Sequence, residues 1–279
     1  MSSDLLNSNG VPTLKTESTG AALTPGQLIW RRFRKHRIAL VGGVGIVILL
    51  LFIIIGSILI PLEKANYVDL AARLSSPSAG HWMGTDSTGR DGFNRIVYGG
   101  QISLIIGFLA VLISISVGTI VGGISAYYGG WVDAVLMRFT EAMLSIPQLF
   151  LLIVLGKFLG RDIQTINFLG LTFSGSVGIV IVVIGMTSWM YLARIVRANV
   201  LSLKEMDYIA AAKSLGASNS RIFFSHLVPN TLGIIIVSST LGLAGAILQE
   251  AYVSFLGLGV QPPTASWGNM LTSAQSFIQ

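Results

Sequence analysis

The chain contains no cysteine, only 3 histidines, and charged residues make up 11% of its 279 positions. Without cysteine there is no disulfide framework, no thiolate metal site and no thiol nucleophile. A Gly-x4-Gly-Lys-Ser/Thr phosphate loop is missing, so the chain is not expected to hydrolyse ATP itself. A membrane-embedded enzyme would need paired acidic residues inside an apolar run, a Ser with a His, or a His-Glu-x-x-His motif. None of these occurs, and His36, His81 and His226 all fall outside the long apolar runs. Nothing resembles a channel filter loop or a ring of acidic residues in a span. No metal-binding or cofactor-binding residue is assigned.

What the chain has in quantity is apolar sequence: 52% hydrophobic residues, 32 glycines and a mean hydropathy of +0.74. That composition belongs to a membrane protein rather than to an ordinary soluble domain. The net charge of +6 invites a nucleic-acid reading, but the basic residues lie beside apolar runs instead of on one face. Positive-inside topology accounts for them better, so lipid is the expected partner and nucleic acid is not.

Residues 1–37 read as a cytoplasmic N-terminal segment, polar and unpatterned to residue 29 and closing with WRRFRKHR. The run from 38 to 60 holds 17 Ile, Leu, Val or Phe residues among 23, which at about −0.4 kcal/mol each favours insertion by about −7 kcal/mol. It is the first predicted transmembrane helix. A cleaved signal peptide is not expected, because the run is long and ends in ILIPLEK without a small-residue cleavage site. Four more spans are predicted near 101–125, 131–156, 176–197 and 229–250, giving an all-α, polytopic helical bundle of five spans. If each crosses once, the outside segments keep only Lys64, Arg73, Arg90, Arg95, Lys157 and Arg161 of the 18 Lys and Arg residues. The bias puts the N-terminus in the cytoplasm of a multi-pass plasma-membrane protein. On this reading 61–100 is an extracytoplasmic loop, 101–250 the core, and 251–279 an extracytoplasmic re-entrant or loop segment.

Between the last two predicted spans lies KEMDYIAAAKSLGASNSRIFFSHLVPN, residues 204–230, the one long polar stretch inside the core. Lys204 to Leu215 has helix-forming composition, with Glu205 and Asp207 placed for the first turn and Lys213 for the last. Gly216 supplies a left-handed stop, Ser218 or Asn219 can cap a second helix, and Pro229 falls where the next span could begin or kink. Ala210, Ala211 and Ala212 keep the first helix thin, which suits docking in a groove of another protein. A plain connecting helix is the alternative that composition leaves open.

Charges near spans are few. Arg138 and Glu141 are three apart and can pair on one helix face or reach the headgroups. Glu250 closes the fifth predicted span, where it either lines a pathway or holds the following turn. After it, Gly257, Gly259, Pro262 and Pro263 disfavour a continuous helix, so the chain is expected to fold back. In the loop after the first span, Asp86, Ser87, Thr88 and Asp91 crowd four oxygen donors together but lack the spacing of a calcium loop, and an ordered elbow is the favoured reading. Gly118 with Gly122 and Gly242 with Ala246 are small pairs of the kind that let helices approach closely in lipid.

Three stretches carry a family resemblance. Ala210-Ala211-Ala212, Gly216 and His226-Leu227-Val228-Pro229 resemble the Glu-Ala-Ala loop of ABC-importer membrane subunits, with Ala210, His226 and Val228 departing from its Glu, Ile and Leu. Gly84-Thr85-Asp86 and Gly89-Arg90-Asp91 match the GTDxxGRD segment of the dipeptide, oligopeptide and nickel importer family. FLGLGVQPPTASWGNML, from Phe255, resembles the signature of that family's C-type permease, with Ala265 in place of a proline. The resemblance implies the ABC type I importer permease fold, with a sixth span that this sequence does not contain. It also implies ATPase coupling through Glu205, Asp207, Tyr208, Ala210, Ala211, Ala212, Gly216 and Pro229. The implied partners are a second, B-type permease, two cytoplasmic ATPase subunits carrying ATP and Mg, and an extracytoplasmic substrate-binding protein. Peptide is the favoured substrate, nickel the alternative.

Overall fold

The computed structural model describes residues 24–159, 165–168 and 171–275. The expected polar tail over 1–23 and the basic residues Lys15 and Arg161 lie outside the described residues. Two compact units are separated between Leu51 and Phe52.

The first unit holds α1 (Pro25–Lys35) and the start of α2 (Arg37–Leu59). The unpatterned segment expected up to residue 29 therefore ends earlier. Thr24 and Gln27 form a reciprocal cap at the start of α1, and Pro25 sits in its first turn, where a missing N–H costs nothing. His36 breaks the helix with extended backbone, and its Nδ1 accepts from the Ala39 N–H at 3.2 Å to open α2.

The second unit begins within α2 and runs through a short helix, α3 (Leu62–Asn66), into a compact loop and then α4 (Gly92–Tyr128). Next come α5 (Gly130–Ser145), α6 (Gln148–Leu159), a hairpin of β1 (Thr165–Phe168) and β2 (Leu171–Ser174), and α7 (Gly175–Lys204). It ends with α8 (Asp207–Ser214), α9 (Asn219–Ile222), a π-helical turn over Phe223–Leu227, α10 (Val228–Phe255) and α11 (Trp267–Gln275). Among the described residues four helical stretches are long and apolar enough to cross a membrane: 37–59, 92–128, 175–204 and the continuous 219–255. The transmembrane helical bundle expected from the sequence is the observed fold.

The predicted third span at 131–156 is not one straight helix, although its two halves are together long and apolar enough for a broken span, which would make five among the described residues. The two helices, α5 and α6, meet at 88°. Pro147 is the cause: it disfavours helical backbone at Ile146, which is extended at ψ 126°, and helix resumes on the far side of the proline. The second predicted span also starts earlier than residue 101, because Asp91 caps α4 through the Asn94 N–H at 2.8 Å.

α7 is the centre of the unit, with 61% of its apolar window buried against 17% for the 219–255 stretch. Gly118 and Gly122 make that centre possible. A Cβ on Gly122 would stand 2.2 Å from the Ala193 carbonyl oxygen, so α4 and α7 touch backbone to backbone there. Gly242 is not such a contact; a Cβ there would meet only the Val111 side chain, at 3.8 Å. One apolar cluster, including Ile106, Leu152, Val180, Val183 and Val253, packs near the Gly92 end of α4. A second, including Tyr127, Val196, Ile209, Ile222 and Leu227, packs near its Tyr128 end.

Candidate functional site

The polar segment 204–230 folds against the Tyr128 end of α4. α7 runs through Lys204, and Glu205 is its C-cap, so Glu205 does not belong to the first turn of the next helix as its spacing predicts. Met206 is extended, at φ −76° and ψ 142°, and α8 begins at Asp207. Of the two predicted acidic residues only Asp207 therefore faces the positive end of the α8 dipole. Ile209 is fully buried and anchors α8, while Asp207, Tyr208, Ala210 and Ala211 on the rest of the helix are exposed and Ala212 is half-buried.

Gly216 ends α8 at φ +79°, and the N–H groups of Gly216 and Ala217 return to the carbonyls of Lys213 and Ala212. Ser218, not Asn219, caps α9, accepting from the Arg221 N–H at 3.3 Å. Asn219 is thereby free to accept from the Tyr127 hydroxyl at 2.7 Å. Pro229 stands in the first turn of α10, which follows the preceding turns without a break. The chain is helical from Asn219 to Phe255, and the wide turn at Phe223–Leu227, closed by the Val228 N–H on the Phe223 carbonyl, precedes the proline. A widened turn gives room for a ring that would clash with a carbonyl four residues back.

Tyr127 joins the pieces. Its ring meets Phe223 edge-on at 6.5 Å, and the Lys213 ammonium lies 6.0 Å from its centroid. One aromatic residue on a spanning helix thus touches α8, α9 and the π turn. The composition of 204–230 carries no sign of this, because the partner lies in α4.

Near the same end, Arg197 of α7 holds Asp133 of α5 in a two-pronged pair, Nε to Oδ1 at 2.6 Å and Nη2 to Oδ2 at 2.5 Å, and the Ser125 hydroxyl also donates to Oδ1. Sequence reasoning missed this pair, since 64 residues separate its members. The predicted pair, Arg138 with Glu141, is present at 3.4 Å, but its side chains are 85% and 58% exposed. At that exposure it contributes little.

Glu250 is fully buried and accepts from two serine hydroxyls, Ser103 at 2.8 Å and Ser254 at 2.7 Å. Each serine in turn accepts a backbone N–H from the folded-back segment: Trp267 to Ser103 at 3.2 Å and Val260 to Ser254 at 3.0 Å. This geometry is what the structural reading of Glu250 requires: a carboxyl group that holds the following turn. The hydroxyls act as relays that tie α4, α10 and the return to α11 around one carboxyl group. The fold-back itself occurs as expected, and α11 is closed into place by Trp267 Nε1 on the Ile96 carbonyl at 3.1 Å.

The loop before α4 is an ordered elbow. Asp86 Oδ1 accepts from the Thr88 N–H and hydroxyl and from the Arg90 N–H, and Oδ2 takes the Arg90 guanidinium at 2.8 Å. Burial pushes the Asp86 carboxyl up, but the bonds from Thr88 and Arg90 outweigh it and hold the group below the usual carboxylate range. Asp91 Oδ2 faces His81 Nδ1 at 2.9 Å. These carboxylates are committed to the loop's own donors.

Comparison with known proteins matches the two ends of this architecture. A family described as "Binding-protein-dependent transport system inner membrane component" matches residues 114–279, and "N-terminal TM domain of oligopeptide transport permease C" matches residues 24–77. A dipeptide transport system permease protein of Alkalihalophilus pseudofirmus is 38% identical over 265 residues, 94% of this chain and 82% of that protein. One of Bacillus subtilis is 40% identical over 249 residues, covering 89% and 73%. A glutathione transport system permease protein of Pectobacterium atrosepticum is 36% identical over 253 residues, covering 91% and 79%.

Proposed function

The chain belongs to the binding-protein-dependent transport system inner membrane components, as a C-type peptide ABC permease, and from that premise we propose that it forms half of the translocation path of an ATP-driven peptide importer. The other half is a B-type permease. Two cytoplasmic ATPase subunits carry the ATP and Mg, and an extracytoplasmic binding protein delivers the peptide. The N-terminus and the segment 204–230 face the cytoplasm.

The observation that carries the coupling role is the exposed face of α8. Asp207, Tyr208, Ala210 and Ala211 are exposed, while buried Ile209, in the apolar cluster with Tyr127, and Lys213 over the Tyr127 ring tie the same helix to α4. A small-residue face lets a partner's surface come close, and the anchored face converts displacement of α8 into strain on α4. Alternation between inward-open and outward-open packings then needs only a second stable arrangement of these helices. Peptide is preferred over nickel as the substrate because the similar permeases are named for dipeptides and for glutathione.

Affinity purification from the native membrane in mild detergent tests this reading. Recovery of an ATPase and a second permease is expected, followed by ATP-dependent uptake of a dipeptide when the complex is placed in vesicles with its binding protein. Recovery of this chain alone, stably folded, would overturn it.

A further inference from the structure

Midway along α4, α7 and α10, a half-open pocket of about 310 Å³ lies between these helices and the first residue of α6. Its volume is at the lower end of the range for small-ligand sites. Seven polar side chains line it: Ser114, Gln148, Ser188, Tyr191, Ser238, Ser239 and Gln249, of which Ser239 donates to the Ile235 carbonyl of its own helix. No Asp, Glu, Lys, Arg or His is among its lining residues, and the rest of the wall is aliphatic or glycine, including Val111, Ile184, Leu241, Gly242 and Gly245. Glu250, next in sequence to Gln249, points away from it into the Ser103 and Ser254 network.

These polar groups are poorly used within the chain. Ser114 is only 6% exposed and makes no hydrogen bond among the described residues. Gln249 Oε1 receives the Ser188 hydroxyl at 3.4 Å, and Gln148 Nε2 reaches the Thr187 carbonyl at 3.4 Å, both at the long edge of hydrogen bonding. In the middle of a bilayer, unsatisfied amides and hydroxyls are costly unless they face water or a polar ligand. A lipid-facing surface would not carry them.

We propose that this pocket is a contact site for the peptide backbone on the translocation path, an inference that rests on the importer reading above. Hydroxyls and carboxamides both donate and accept, so they can match the N–H and C=O groups that every peptide presents. With no fixed charge, the site discriminates little between acidic and basic side chains, and its aliphatic wall accepts apolar ones. Such a site holds a peptide weakly enough to release it.

This chain has no cysteine, so an introduced one is its single thiol. In the full complex in vesicles, Gln249→Cys and Ser238→Cys, two positions so that one poorly assembling variant does not decide the matter, are reacted with a membrane-permeant thiol reagent. Ile236→Cys, 61% exposed and outside the pocket, is the control. During turnover with ATP, binding protein and alanyl-alanine, labelling at 249 and 238 is expected to slow by about fivefold, the occupancy effect of one moderately bound ligand. Turnover without peptide, and Ile236→Cys under any condition, should show no slowing. Transport of alanyl-alanine with unslowed labelling at both pocket positions overturns the site and leaves the importer reading intact. A wild-type complex that hydrolyses ATP but carries neither alanyl-alanine nor glutathione overturns the peptide reading, and the site with it.

Discussion

The hydroxyl of Tyr127 donates to Oδ1 of Asn219 at 2.7 Å, across 92 residues of sequence. It is a direct polar link between the end of a spanning helix and the segment proposed to receive the ATPase, shorter than the one from the Lys204 ammonium to the Ala126 carbonyl at 3.5 Å. Tyr127→Phe removes the bond and keeps the ring against Phe223 and Lys213. A neutral hydrogen bond is worth about 1 kcal/mol net, so a loss of up to about fivefold in peptide carried per ATP hydrolysed is expected, with assembly intact. Unchanged stoichiometry would show that Tyr127 only packs.

Gly216 offers a graded test of the end of α8. A Cβ there meets nothing within 4 Å, so the cost of Gly216→Ala is the left-handed backbone alone, about 1 kcal/mol. Gly216→Pro also deletes the N–H that reaches the Lys213 carbonyl and forbids φ +79°. Uptake should fall modestly in the first variant and vanish in the second, while membrane insertion survives in both. Comparable uptake in the two would refute the role assigned to the α8 stop.

Bulk at Ala211 separates docking from folding. The residue is exposed, so Ala211→Trp should leave the unfolding temperature of the isolated subunit within a degree or two, as most surface substitutions do. Binding of the ATPase subunits should be lost. Retained co-purification of the ATPase would place its contact elsewhere.

Glu250→Gln puts an amide donor where a serine hydroxyl now donates, while that hydroxyl is already accepting a backbone N–H. The mismatch leaves a buried polar group unsatisfied and should cost about 1–3 kcal/mol. A lower unfolding temperature in detergent and easier proteolysis of the segment after Phe255 are expected. Altered uptake at unchanged stability would return Glu250 to the path.

The elbow at Asp86 has a defined pH response. Its carboxyl is held below the usual carboxylate range in the folded loop, so its contribution is fully present above the unfolded value of about 3.9 and is lost as pH falls through the lower folded one. Limited proteolysis between residues 70 and 91 should accelerate below about pH 4 in the wild type. Asp86→Asn should be cleaved readily at neutral pH and respond little to acid. A wild-type loop equally resistant at pH 3 would contradict the assignment.

The sequence by itself determined the class of molecule and most of its spans, because lipid accepts only long apolar helices and such runs are visible residue by residue. It also determined the Gly216 stop, the fold-back after α10 and the close approach at Gly122, since glycine and proline act locally on the backbone. Glu205 was misplaced for the opposite reason. Helix propensity does not say where one helix yields to the next, and Met206 breaks the run without any Gly or Pro to announce it. The bend at Pro147 was legible in principle, but the apolar count across 131–156 concealed it. What only the tertiary structure decided are relations between distant residues: Asp133 with Arg197, Tyr127 with Asn219, and Glu250 with Ser103. Each joins groups on different helices, and no local pattern encodes which helix faces which. The packing of α7 among α4, α5 and α10 settles those partners and leaves an uncharged polar pocket at its centre.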